Sequence, residues 1–192
     1  MVEQFSIGAH AMTTLATWVS VDSRRSSACY LVSDSRISWS GQQASWDSGQ
    51  KLFVSSRFPD IFGYCGDVQF PTLVLRQIID RVDQGLLLAD NATAFQRNQT
   101  IAEELNKAYH GYPKHPEFQP TIVHFARDGE GSGHIFSLWK LDWSRSSPIQ
   151  SIPIELPTSS VLGVHARVWL EDLDCSQRRM EGRSRAHCPG HF

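Results

Sequence analysis

Residues 60–82, DIFGYCGDVQFPTLVLRQIIDRV, contain a change of hydrophobic period that decides the fold. The stretch before Gly66 is mainly apolar and aromatic, which is typical of a buried strand. After Gly66 the apolar residues recur every three to four positions, and Pro71 stands at an early helical position. The stretch therefore predicts a core strand, a glycine turn and a helix that packs one stripe against the sheet.

The surrounding sequence extends this pattern in both directions. Strands are predicted earlier at TLATWVS (14–20), ACYLVSD (28–34) and KLFVSS (51–56), because these stretches are rich in β-branched and aromatic residues. A second helix is predicted from about Thr93 to His110. Later strands are predicted at TIVHFAR (121–127), HIFSLWKLDW (134–143), SIPIEL (151–156) and SVLGV (160–164). Strands, two helices and further strands predict an α+β fold.

Length and charge limit the class of protein. The chain has 192 residues, of which 41% are hydrophobic, and this is enough for one domain with a true core. Lys and Arg number 18 against 20 Asp and Glu, so no basic field predicts binding to nucleic acid or to a membrane surface. The four cysteines have no C-x-x-C spacing, and the N-terminal segment lacks the features of a signal peptide. We therefore expect a cytoplasmic protein.

The character of the chain changes near its C-terminal end. We interpret residues 168–192 as an irregular tail, because LEDLDCSQRRMEGRSRAHCPGHF (170–192) has no period of a strand or a helix. Translation out of frame after a deletion near Gly163 explains this mixture, and a disordered tail is the alternative. The tail also contains four residue types that bind zinc: Cys175, His187, Cys188 and His191. Cys175 has no partner at a tight spacing, so no metal site is predicted.

Several motifs precede and open the first helix in one order. TTLATW (13–18) opens the first strand, VSDSR (32–36) closes the second, GQKLF (49–53) opens the third, and IFGYCGD (61–67) runs into the helix. In this order the motifs resemble those of proteasome β-subunits and bacterial ATP-dependent protease cores, in the N-terminal-nucleophile (Ntn) hydrolase superfamily. The resemblance covers about residues 12–163 and implies an Ntn αββα sandwich.

The resemblance implies a threonine-type peptidase and assigns its residues. Thr13 would be the nucleophile, and its own α-amine, with a pKa of ~7.7 to 8.0, would be the base. The charge of Lys51 would favour the alkoxide, and Asp34 would hold that lysine. The backbone N–H of Gly66 would face the developing oxyanion, which needs close approach of main chain to substrate. Arg36 would buttress the Asp34 turn.

The family also implies partners. We expect a peptide or protein substrate, a homo-oligomeric ring and an ATPase partner, without cofactor or metal. Tyr64 and Val68, which flank Gly66, are the expected walls of the substrate pocket. None of these features can be assigned from composition or spacing alone.

Two departures from the family affect the interpretation. Val164 stands where the family has a serine that supports the nucleophile. The recognisable chain stops near Gly163, so we expect a domain over residues 13–167 that lacks the second helical layer and leaves one sheet face apolar and wet. Three interpretations remain: a peptidase acting through Thr13, a non-catalytic or decayed subunit that keeps only the fold, and an acylase acting on a small amide.

The first prediction concerns the start of the working protein. An amine base exists at Thr13 only if nothing precedes it, so residues 1–12 are expected to be a leader or a mis-assigned start. Translation from Met12 followed by its removal is favoured over self-cleavage, because Met12 replaces the family's usual glycine. Mass spectrometry of the N-terminus in native cells should find Thr13 first. A dominant intact Met1 terminus would contradict this prediction.

Overall fold

The structure, a computed structural model, describes residues 14–21, 26–38, 45–113, 120–144, 147–156 and 167–172. Six strands come first: β1 (Thr14–Val21), β2 (Ser26–Ser33), β3 (Ile37–Ser38), β4 (Ser45–Trp46), β5 (Leu52–Val54) and β6 (Asp60–Cys65). The helices α1 (Gln69–Asp83) and α2 (Ala94–His110) follow. The later strands are β7 (Thr121–Asp128), β8 (Ile135–Ser144), β9 (Ser147–Ile154) and β10 (Arg167–Asp172). The predicted α+β class is confirmed.

The strands of the described chain form antiparallel sheets. One sheet has five strands in the order β5-β6-β7-β8-β9, and another has three in the order β10-β1-β2. The short strands β3 and β4 pair only with each other. All described strand pairs are antiparallel, and the strands of the large sheet lie side by side in the order in which they occur along the chain.

Both helices pack on one face of the five-stranded sheet. The apolar stripe predicted for α1 is buried there and includes Leu75, Ile78, Ile79 and Val82. Helix α2 begins after Thr93, whose side chain accepts a hydrogen bond from the backbone N–H of Gln96 in a capping box. The two helices thus bury the face of the sheet that carries Phe62, Tyr64, Ile122 and Leu141.

The three-stranded sheet covers the opposite face of the five-stranded sheet. Leu15 and Val19 of β1 pack with Val123, Phe125 and Leu138 in a second apolar cluster. Successive residues of β7 alternate between the two clusters, as the period of a strand requires. The described part of the chain therefore has three layers: helices, five-stranded sheet and three-stranded sheet.

The outer face of the three-stranded sheet, where β1 and β2 form it, is apolar and partly exposed. Trp18 and Tyr30 stack there with ring centroids 5.1 Å apart. Tyr30 is 44% exposed and Val32 is 50% exposed. The sequence led us to expect one apolar sheet face in contact with water, and among the described residues this face has that character.

Two strands differ from the sequence prediction. β9 begins at Ser147 rather than at residue 151 and contains Pro148 and Pro153. It is an edge strand, where proline costs no ladder hydrogen bond on the solvent side.

β10 continues to Asp172, inside the region expected to be irregular, and pairs with β1. Strand pairing uses backbone groups, so a strand can form here without the regular hydrophobic period on which the prediction was based. Residues 160–164 lie outside the described residues.

A buried ion pair fastens α2 to the large sheet. The guanidinium of Arg97 donates to Asp60 through Nε and through one terminal nitrogen, both at 2.9 Å. The same guanidinium also donates to the backbone carbonyls of Ala92 and Arg127 and to the carboxylate of Asp128. All five of its N–H donors therefore have an acceptor, which is the condition under which a buried charge is tolerated.

His124 lies beside this ion pair without any exposed surface. Its ring stacks on Phe62 at 4.2 Å, and its Nδ1 is 3.0 Å from the amide nitrogen of Asn98. An amide nitrogen only donates, so Nδ1 accepts and the proton of the neutral ring is on Nε2. Burial lowers the pKa of His124, although the nearby Asp60 carboxylate opposes this. The ring is therefore a neutral core residue.

The second prediction is that stability decreases as the pH falls below ~6.5, the ordinary pKa of histidine. In this window the histidine at position 124 is protonated in the unfolded chain but stays neutral in the folded protein, where burial lowers its pKa. The free energy of unfolding therefore rises with pH. One such proton contributes up to ~1.4 kcal/mol per pH unit. Urea unfolding at pH 7.5, 6.5 and 5.5 measures the slope.

The variant His124→Gln should be less stable at every pH, but it should lose most of the slope between pH ~6.5 and 5. Burial raises the pKa of Asp60, but its hydrogen bonds and the charge of Arg97 outweigh this and the net shift is downward, so this group titrates below the window. The matched control His110→Gln changes an exposed histidine and should keep the slope. An unchanged slope in His124→Gln would exclude His124 as its source.

Candidate active site

The ends of three strands meet where β1 begins. The register pairs Leu15 of β1 with Ser33 of β2, so the next residue, Asp34, leaves β2 opposite the first residue of β1. Lys51 directly precedes β5. Thr13, the predicted nucleophile, precedes β1 and lies outside the described residues.

Gly63 of β6 allows the two sheets to approach each other at this point. A Cβ atom at Gly63 would lie 2.8 Å from Leu15, 2.9 Å from Leu31 and 3.0 Å from Leu52. These distances are too short for carbon atoms, so a larger residue at this position would displace the three leucine side chains. The sequence analysis missed this role, although an isolated glycine in an apolar strand is a signal of close backbone approach.

Lys51 is buried, with only 2% of its surface exposed. Its Nζ donates to both carboxylate oxygens of Asp34 at 3.1 Å and to the backbone carbonyl of Arg36 at 2.5 Å. The Asp34 side chain is 32% exposed. The predicted pair of Asp34 and Lys51 is therefore formed, with the lysine inside and the carboxylate reaching the surface.

The segment that carries Asp34 is tied to the segment before Lys51. Arg36 is exposed, and its guanidinium donates to Asp47 at 2.6 and 3.2 Å. The N–H of Gly49 donates to the carbonyl of Ser35 at 2.9 Å. The Arg36 ion pair is exposed and screened by water, so it adds little stability and mainly holds one segment beside the other.

Gly66 has a backbone φ of +88° at the end of β6. Residues with a Cβ rarely adopt this conformation, so the turn from β6 into α1 favours glycine. The carboxylate of the following residue, Asp67, accepts a hydrogen bond from the N–H of Phe70 at 3.0 Å. The expected contact of the Gly66 N–H with an oxyanion stays a prediction.

Tyr64 and Val68 were predicted to form the walls of a substrate pocket. Tyr64 has no exposed surface, and its hydroxyl lies against Thr72 of α1 at 2.6 Å. Val68 is half-buried and packs against the apolar cluster between α1 and the sheet. The contact of these two residues with a substrate stays a prediction, and the burial of Tyr64 does not favour it.

Other residues named from the sequence lie outside the described residues. They are Val164 and the potential zinc ligands Cys175, His187, Cys188 and His191. Within the described ranges, no group of three or more His, Cys, Asp and Glu side chains is arranged to hold a metal ion.

The comparisons with known proteins leave the family open. No protein-family model and no curated protein matches this chain. Neither described helix combines the length and the apolar character needed to span a membrane. Function must therefore be inferred from the residues around Lys51 and from the motifs that carry them.

The third prediction concerns the Gly66 turn. Gly66→Ala should lower the free energy of unfolding by about 1 to 2 kcal/mol, because a residue with a Cβ resists the positive φ. The matched control Gly133→Ala adds a methyl group into open space and should change stability by less than about 0.5 kcal/mol. Urea unfolding compares the two. Equal effects would show that the conformation of Gly66 imposes no such requirement.

Proposed function

We propose that the protein is a threonine-type peptidase of the proteasome-like Ntn class, which acts through an acyl-ester on Thr13. The proposed fold is an αββα sandwich that lacks its second helical layer. The observation that carries the proposal is the buried ammonium of Lys51, paired with the partly exposed carboxylate of Asp34 beside the start of β1. The residue that precedes β1 is the threonine that such a pair would serve.

Burial of the Lys51 ammonium group destabilises the folded protein, which is unexpected for a residue with no function. Removing an ammonium group from water costs several kcal/mol, even after relaxation of the surroundings. A surface lysine would avoid this cost, and the attraction between Lys51 and Asp34 offsets only part of it. A fixed positive charge beside the nucleophile supplies a reason, because it disfavours protonation of the α-amine and stabilises an alkoxide.

The proposed reaction needs no histidine and no cofactor. The hydroxyl oxygen of Thr13 attacks the substrate carbonyl, and its proton passes to the α-amine of the same residue. The N–H of Gly66 donates to the oxyanion, and the α-amine returns the proton to the leaving amine. Water then hydrolyses the ester bond to Thr13 and frees the enzyme.

The remaining features follow from the same class. The substrate is a peptide or protein, the working form is a homo-oligomeric ring with an ATPase partner, and the compartment is the cytoplasm. The exposed apolar face formed by Trp18, Tyr30 and Val32 supports association, because an isolated domain would leave it in water.

A second candidate function is a non-catalytic subunit of the same class. It is favoured by Val164, which has no hydroxyl where the family has a serine near the nucleophile. In this case the Lys51–Asp34 pair would only hold its two segments together. Activity of the protein that begins at Thr13 separates the two functions.

The fourth prediction uses Lys51. Lys51→Met keeps the apolar volume and removes the charge, so hydrolysis of fluorogenic peptides by the protein starting at Thr13 should fall by at least ~10². Asp34→Asn should reduce it in the same direction, because the lysine loses its charged partner. Lys107→Met is the matched control, since that lysine is exposed and pairs only with Glu104 among the described contacts.

Variants of the nucleophile complete this test. Thr13→Ala should abolish turnover, whereas Thr13→Ser should retain part of it because a hydroxyl remains. Circular dichroism and urea unfolding should confirm that each variant is folded. Full turnover by folded Lys51→Met or by Thr13→Ala would rule out the peptidase mechanism and leave the non-catalytic subunit.

A further inference from the structure

Tyr64 connects Lys51 to the first helix. Its hydroxyl donates to the backbone carbonyl of Gln50 at 3.1 Å and lies 2.6 Å from Oγ1 of Thr72. A phenol has one hydrogen, and the carbonyl of Gln50 can only accept, so the hydroxyl of Thr72 is the donor to Tyr64. A chain of two hydrogen bonds therefore runs from α1 through Tyr64 to the residue before Lys51.

Tyr64 also binds the backbone of Lys51 itself. Its N–H donates to the carbonyl of Lys51 at 3.2 Å. The side chain and the main chain of Tyr64 thus hold two consecutive carbonyls, those of Gln50 and Lys51. Lys51 itself lies just before β5, which begins at Leu52. The hydroxyl of Tyr64 is the contact that a phenylalanine at this position would lack.

The surroundings keep this hydroxyl a donor. Burial raises the pKa of Tyr64, and the carboxylates of Asp67 and Asp34 raise it further, while the hydrogen bond from Thr72 opposes them. The phenol is therefore protonated at neutral pH. The ring of Tyr64 also stacks on Phe53, with ring centroids 6.3 Å apart, and this contact restricts the movement of the ring.

We infer that Tyr64 is a positioning residue for Lys51, held in place by Thr72 of α1. The Lys51 ammonium reaches Asp34 only if its backbone starts from the right place, and Tyr64 holds the carbonyls on both sides of the Cα of Lys51. The part of this inference that concerns turnover rests on the proposed function. The part that concerns the placement of Lys51 does not.

The experiment compares Tyr64→Phe with wild-type protein. Phenylalanine fills the same space but leaves the carbonyl of Gln50 without its partner. The matched control is Tyr30→Phe, which removes the hydroxyl of a tyrosine that is 44% exposed and stacked on Trp18. Acylation of lysines by an amine-reactive ester, followed by peptide mass spectrometry, reports how often Lys51 becomes accessible.

Labelling of Lys51 should be roughly five to ten times faster in Tyr64→Phe than in wild type, since a lost hydrogen bond makes local opening easier. Labelling of Lys107, which is exposed, and Lys140, which is partly buried, should not change. Tyr30→Phe should leave all three rates unchanged. Thr72→Val should increase Lys51 labelling less than Tyr64→Phe, because the Tyr64 bond to Gln50 remains.

Turnover is the second measurement. In the protein starting at Thr13, Tyr64→Phe should lower kcat for fluorogenic peptides about ten-fold with little change in KM, because the hydroxyl that is removed is bonded to Gln50 and Thr72 in a residue with no exposed surface. Suppose that the wild-type protein hydrolyses no peptide but that Lys51 is still labelled faster in Tyr64→Phe. This result would support the positioning role of Tyr64 and rule out the peptidase function.

Two results would overturn the inference. One is wild-type protection of Lys51 in folded Tyr64→Phe. The other is a rise in Lys51 labelling that Lys140 shares in equal proportion, since general loosening of the fold would then explain it.

Discussion

The structure depends on the burial of β6 on both of its faces. Phe62 and Tyr64 point toward the helices, whereas Ile61 and Cys65 point toward the three-stranded sheet. Each large apolar side chain that is fully buried contributes about 1.5 to 3 kcal/mol, so a strand with two buried faces is worth more than any single polar contact. Gly63 makes the arrangement possible, because it leaves room for Leu15 of the facing sheet.

The polar groups around β6 contribute specificity more than stability. A buried ion pair such as Arg97–Asp60 roughly breaks even against apolar residues of similar volume, but loss of one partner costs about 3 to 5 kcal/mol. Asp60 stands at the first position of β6 and can meet Arg97 only in one register of α2. Thus the apolar faces decide that the helices pack here, and the ion pair decides how they are aligned.

Local patterns predicted the elements that have their own period or cap. Helix α2 could be located from its apolar face and from Thr93, and the structure ends it at His110 as expected. Helix α1 begins at Gln69, so Pro71 is its third residue and stands at the early helical position that was expected. β9 was placed too late, since its prolines argue against a strand until its position at the edge of the sheet is known.

The contacts that depend on distant residues could not be predicted from composition. Arg97 and Asp60 are 37 positions apart and would normally be assigned to the surface. For the candidate site, the contact expected between Asp34 and Lys51 is present in the structure, whereas their roles stay a prediction. The family resemblance gave no indication that Tyr64, expected at a pocket wall, would be buried and bonded to the residue before Lys51.

The buried Arg97–Asp60 ion pair and the candidate site lie at opposite ends of β6. At the start of β6, Asp60 is neutralised by Arg97, whose five donors all have acceptors, so this pair has no donor left for a ligand. Near its end, Tyr64 donates its N–H to the carbonyl of Lys51, whose carboxylate partner Asp34 is partly exposed. The three N–H donors of the Lys51 ammonium also have acceptors, so hydrogen-bond satisfaction does not distinguish the two ends. They differ in place: the carboxylate partner of Lys51 follows β2 opposite the first residue of β1. This position beside the start of β1 is the reason that the Lys51 end of β6, rather than the larger ion-pair network, is the candidate site.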